Sequence, residues 1–206
     1  MSTASANDPR SPAPRPEPSA EDGSLDAPQK RLADADAQAF ETIFRRLSEP
    51  VFRYVRRMVS DDAQAHDITQ DTFAKLWSMR EQVASVDSLR AYVFRMARNR
   101  VYNQQRNERT RRKHHAQLQE EPPHATPSAP DQVLDADLLE ERLHDWIEDL
   151  PNRQRETLTL RRQQGLSHDE IAAIMDISPH TVNNHIVRAL QQLRKRLRAY
   201  RPDLFS

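Results

Sequence analysis

Residues 165 to 190 read GLSHDEIAAIMDISPHTVNNHIVRAL. Ser167 stands where a helix cap is needed, and Glu170, three residues on, can return the bond and close a capping box. The helix this starts runs to about Met175, and Asp176, Ile177 and Ser178 supply a turn. Ser178 followed by Pro179 signals a second helix start, because proline at the first helical position loses no hydrogen bond. Ala172 is small enough for a close crossing, while Ile171, Ile177, Val182 and Ile186 can fill the angle between the two helices. The spacing predicts a helix-turn-helix.

In that motif the N-terminal part of the second helix faces base edges. Here it carries His180, Thr181, Asn183 and Asn184. Asparagine can bond adenine bidentately, threonine can meet a thymine methyl, and Arg188 one turn later suits a phosphate. The plainer reading is a helical hairpin with polar residues facing water. Two capping signals in succession, a three-residue turn and the basic run RKRLR at 194 to 198 weigh against it.

A DNA reader sits oddly in a chain of 206 residues whose formal net charge is zero. The charge is segregated: residues 90 to 113 hold nine Arg or Lys and one acid, 131 to 149 hold eight acids and one base, and 150 to 198 hold nine bases and four acids. Two basic blocks around an acidic one suggest nucleic acid touched at two places. With only two glycines and no alternation of β-branched residues, the fold class expected is all-α, two small helical domains. The absence of cysteine excludes disulfides and thiolate metal sites. No signal peptide and no membrane span can be read, so a soluble cytoplasmic protein is expected.

Residues 1 to 35 hold six of the fourteen prolines and read as a disordered tail. From Phe40 apolar residues recur at helical spacing through Met58, with Pro50 a possible kink. A second helix is predicted over 62 to 79 and a third over 88 to 109, making a domain over 36 to 112. Residues 113 to 137, with four prolines, read as a flexible linker. A second helical domain, over 138 to 200, contains the helix-turn-helix.

On the third helix, the face away from the apolar stripe carries Arg95, Arg98, Asn99, Tyr102, Asn103 and Arg106. Cations follow phosphates, a ring stacks on an unpaired base and amides bond its edge, which is equipment for a single strand. Stacking contributes about 1 to 3 kcal/mol per base, comparable to the few kcal/mol needed to flip one out.

Three blocks in series, AHDITQDTFAKLW (65 to 77), LRAYVFRMARNRVYNQQR (89 to 106) and LPNRQRETLTLRRQQGLSHDEIAAIMDISPHTVNNHIVRALQQLR (150 to 194), closely resemble bacterial sigma factors of the extracytoplasmic-function (ECF) type. The resemblance implies a dissociable promoter-specificity subunit of RNA polymerase. It implies that Asp67, Gln70 and Asp71, on one face of the second helix, dock on the coiled coil of the beta-prime subunit. It places Arg98, Asn99 and Asn103 in the stretch that melts and captures the minus-ten element, and the final helices at the minus-thirty-five element. Core polymerase, through beta-prime and beta, and promoter DNA are the implied partners, with an anti-sigma factor as a further one. Asn183 stands where many family members have lysine, so that one phosphate contact is either missing or replaced by a base contact.

No activated nucleophile, Gly-rich phosphate loop or carboxylate pair is present, so no enzyme, small-molecule substrate, cofactor or metal is expected. The rival reading is an autonomous helix-turn-helix repressor or activator. It explains residues 150 to 198 but leaves the third helix and the Asp67, Gln70, Asp71 face without work.

Overall fold

The computed structural model describes residues 25–59, 61–115 and 135–205. The described helices are α1 (Asp26–Leu32), α2 (Ala37–Arg56), α3 (Asp62–Ser78), α4 (Arg80–Val83), α5 (Leu89–His115), α6 (Asp135–Glu148), α7 (Asn152–Gln164), α8 (His168–Met175) and α9 (Pro179–Tyr200), followed by a 3-10 turn, Pro202–Phe205. There is no strand among the described residues, in keeping with the all-α class.

Side-chain carboxylates start the first long helices. Asp36 accepts from the backbone of Gln38 and Ala39 at 2.9 and 3.1 Å, and Asp61 does the same for Ala63 and Gln64, satisfying amides that have no partner within the helix. α2 runs through Pro50 without a break. Buried Leu47, Val51, Tyr54 and Val55 on either side hold its axis against the core, and that packing outweighs the missing donor.

The tail read over 1 to 35 needs correction at its end. Residues 26 to 32 form α1, Leu32 is fully buried, and the Gln29 side-chain amide donates to the carbonyls of Val83 and Val86 at 3.0 and 2.7 Å. This short helix therefore covers α4 and the loop before α5. Residues 1 to 24 lie outside the described residues. So does the middle of the linker read over 113 to 137, whose first residues belong to α5 and whose last belong to α6.

The two helical domains also share apolar packing. A small cluster of Leu150, Leu158, Ala189 and Leu193 holds α6, α7 and α9 together. Leu160, Leu166, Ile171, Ile174, Met175 and Val182, however, join one continuous core with Ile43, Tyr54, Ile68, Phe73, Phe94 and Val101 of the first half. α8 lies along α5, and α7 reaches α2. α7 and α9 place apolar side chains in both clusters, and α8 is buried against α5.

Candidate nucleic-acid interface

The helix-turn-helix is built from α8 and α9. The Ser167 and Glu170 capping box is present, with bonds of 3.2 and 2.8 Å. Asp176 takes φ 56° to turn the chain, a conformation Asp tolerates better than most residues, and the Ile177 amide closes back on the Ala172 carbonyl at 3.1 Å. Ser178 caps α9 through the Thr181 amide at 3.1 Å.

His180, Asn183, Asn184 and Arg188 are exposed on α9. Thr181 is half-buried, its hydroxyl paired with that of Ser178 at 2.8 Å, so it supports the helix start more than it projects. His185 was not among the expected contacts. Partial burial, and then the charges of Arg153 and Arg188, hold its pKa below the ordinary histidine value.

On α5, Arg95, Asn99, Tyr102, Asn103 and Arg106 reach solvent. Arg98 does not, which corrects the reading of all six as one open face. Its side chain is only 8% exposed and its Nε donates to Glu156 Oε1 at 2.7 Å. The same oxygen accepts from the Tyr54 hydroxyl at 2.9 Å, and Glu156 Oε2 accepts from Tyr102 at 3.2 Å. The Arg98 guanidinium also lies over the Tyr102 ring, 4.5 Å from its centroid.

One buried carboxylate on α7 thus gathers three donors from α2 and α5. Burial and the Glu156 charge raise the pKa of Tyr54 well above the usual tyrosine value, and burial with the same charge raises that of Tyr102. Burial disfavours the Arg98 cation, yet the bond and charge of Glu156 leave it more firmly protonated than free arginine. Nothing in the sequence distinguishes Glu156 from any other acid in a basic block.

Clefts open on either side of this junction. One, of about 720 Å³, is lined by Tyr102, Asn103, Arg106 and Arg109 on α5, with Arg57 beyond α2 and Arg153 on α7. The other, of about 430 Å³, lies between Arg95 and Asn99 on α5 and Ala173 and Asp176 at the end of α8. Ser88 bonds Glu170 across the junction at 2.9 Å, and Arg90 donates to the Gln164 carbonyl.

Asp67, Gln70 and Asp71 share an exposed face of α3, as the spacing predicts. Asp71 accepts a hydrogen bond from Arg100. The opposite side of α3 is fixed by ring contacts, Phe40 with Trp77 and Phe44 with Phe73, at 5.1 and 4.9 Å between centroids.

The model of Sigma-70 region 2 matches residues 43 to 111, and that of Sigma-70, region 4 matches residues 140 to 193. The chain is 27% identical over 176 residues to the RNA polymerase sigma-H factor of Pseudomonas aeruginosa, covering 82% of this chain and 91% of that one. It is 25% identical over 175 residues to the ECF RNA polymerase sigma-E factor of Haemophilus influenzae, covering 82% and 92%. The chain belongs to the ECF-type sigma factors.

This sigma factor shares its fold with two solved relatives. One is CnrH in complex with the cytosolic domain of CnrY, with a TM-score of 0.61 and 21% identity over 85% of this chain and 99% of that one. The other is RpoE of Bartonella quintana in complex with the anti-sigma factor NepR, with a TM-score of 0.60 and 23% identity over 79% and 98%. Sigma factors are regulatory subunits of RNA polymerase and direct transcription initiation. The region 2 match takes in α3 and most of α5, and the region 4 match takes in both helices of the helix-turn-helix. No described helix is long and apolar enough to cross a membrane.

Proposed function

We propose that residues 36 to 112 of this sigma factor dock on core polymerase and open the minus-ten element, while residues 138 to 200 read the minus-thirty-five element. In this reading Asp67, Gln70 and Asp71 meet the beta-prime coiled coil. Arg95, Arg98, Asn99, Tyr102, Asn103 and Arg106 take the melted strand, and His180, Thr181, Asn183, Asn184 and Arg188 contact the upstream duplex. The reading is supported chiefly by the placement of an acidic docking face on α3, an aromatic and basic face on α5 and a helix-turn-helix on α8 and α9 of one chain. The chemistry is recognition alone: phosphates by guanidinium groups, bases by amides and one ring.

The solved relatives are held by partner proteins, and an anti-sigma factor is the corresponding partner here, acting in the cytoplasm where polymerase works. The test is run-off transcription on genomic fragments with core enzyme. Initiation at specific promoters only when both proteins are present supports the reading. Sequence-specific duplex binding by the purified chain, with no initiation in the presence of core, would instead establish an autonomous repressor or activator.

A further inference from the structure

We infer that the larger cleft, between α2, α5 and α7, is a binding site for a small free nucleotide carrying two or three phosphates, with Arg57, Arg106, Arg109 and Arg153 on the phosphates and Tyr102 against the base. The site is assigned from the charge and shape of the cleft and does not depend on the sigma reading. Only its effect on strand capture rests on that reading.

Three observations converge. First, four arginines from three elements meet on one concave volume: Arg57 at the C-terminal cap of α2, Arg106 and Arg109 on α5, and Arg153 in the first turn of α7. All four are exposed, and none forms an ion pair with another described residue. The acids that border the cleft are already engaged, Glu148 with Arg155 and Glu156 with Arg98. Like charges gathered in this way repel one another, and a polyanion seated between them removes that cost.

Second, the charge is too concentrated for a passing strand. The cleft, of about 720 Å³, has the size of a small-molecule site. A strand brings one charge with each nucleotide, spread along its length. In a nucleoside triphosphate a terminal phosphate of about −1.5 to −2 adjoins two inner ones of about −1 each. About four negative charges thus arrive together to face four guanidinium groups, each able to grip phosphate oxygens with two parallel donors.

Third, the cleft also offers a place for a base. Tyr102 lines it and is 38% exposed, with Met58 beside it. An aromatic ring stacks on any base, and the neighbouring Asn103 carries both a donor and an acceptor for a base edge.

Tyr102, Asn103 and Arg106 belong to the strand face of α5 as well, whereas Arg57, Arg109 and Arg153 do not. A nucleotide in the cleft therefore excludes a strand from that end of α5, and strand capture becomes sensitive to nucleotide concentration.

Titration calorimetry on the full chain tests the site, with ATP and with inorganic tripolyphosphate as probes, at fixed ionic strength in EDTA. Both should bind once per chain, ATP at least about fivefold more tightly because it alone has a ring to stack. Arg109→Gln and Arg153→Gln should each weaken both probes by at least about tenfold. Arg45→Gln, at an exposed pair with Glu41 outside the cleft, should change neither. The two cleft variants lie on different helices, so either decides the matter if the other does not fold. Absence of saturable binding to wild type overturns the site, as does an equal loss in Arg45→Gln. Equal affinity for the two probes overturns the assignment to a nucleotide.

A second arm reads the effect on strand capture. ATP should displace a fluorescein-labelled single-stranded oligonucleotide from wild type but not from Arg153→Gln, which keeps every residue of the strand face. Equal displacement from both proteins overturns the competition. A wild-type chain that binds no single strand would sink the strand role of α5 instead, and the calorimetry would still judge the nucleotide site by itself.

Discussion

Tyr54 on α2 and Glu156 on α7 lie 102 positions apart in the chain and share a hydrogen bond of 2.9 Å. The hydroxyl is buried, and its bond goes to a carboxylate already taken by Arg98. Tyr54→Phe removes this single donor and leaves the ring packed on Phe94, 5.4 Å between centroids. A hydrogen bond to a charged group contributes about 1.5 to 3 kcal/mol. The variant should lose about that much stability in urea unfolding, with no change of helicity. A loss below about 0.5 kcal/mol would mean that the junction is already hydrated.

The acidic face of α3 gives a second prediction. Asp71→Arg reverses a charge that is half exposed and bonded to Arg100. The fold should lose less than about 1 kcal/mol, as exposed pairs do. Affinity for core polymerase should fall by about tenfold or more, because like charges then face each other across the contact. Asp71→Asn should lie between the two in a competition assay against wild type. Equal affinity for all three would remove the docking role from this face.

Much of this architecture can be read from the chain because helical caps and apolar periods are local signals. Ser167, Glu170, Ser178 and Pro179 lie within a dozen residues of one another and their bonds form as their spacing implies. What lies between the halves cannot be read the same way. Arg98 and Glu156 are 58 positions apart, and each alone looks like one more surface charge on a polar helix. α1 is hidden for a related reason. Its apolar content is one leucine, one proline and one alanine amid polar and charged residues, and it is anchored by a glutamine whose partners are backbone carbonyls more than fifty positions away.

That anchorage is testable. Leu32 is fully buried in the main core, so Leu32→Ala should cost about 2 to 5 kcal/mol, as for other buried leucines. Gln29→Ala would leave the carbonyls of Val83 and Val86 short of a donor and should cost about 1 to 3 kcal/mol. Thermal melts that match wild type in both variants would show that residues 26 to 32 contribute nothing to the fold.

His185 makes stability depend on pH. Partial burial, with Arg153 and Arg188 nearby, lowers its folded pKa below the ordinary histidine value, so the folded state resists a proton that the unfolded chain accepts. Its contribution is therefore full above the ordinary histidine pKa and declines as the pH falls from there through the lowered folded value. Replacing it by glutamine should flatten the fall in urea midpoint between about pH 7 and pH 5 relative to wild type. An unchanged slope in the His185→Gln protein would assign the pH dependence to other groups.

The reading helix separates affinity from specificity. Asn183 and Asn184 are exposed on the first turns of α9 and Arg188 one turn further on, an order that sets amides against base edges and the cation against the backbone. Asn184→Ala should relax preference at one or two bases of the minus-thirty-five element, with a loss of about 1 to 3 kcal/mol on the preferred sequence and little on others. Arg188→Ala should weaken every sequence alike and lower the slope of log affinity against log salt by about one, the signature of a single lost phosphate contact. Both variants keep the buried face of α9, Val182, Ala189 and Leu193, so their melts should match wild type. The measurement is promoter binding by the reconstituted holoenzyme on a library randomised at the upstream element, at two salt concentrations. A change of base preference from Arg188→Ala, or a uniform loss from Asn184→Ala, would reverse the two assignments and place the cation over the bases.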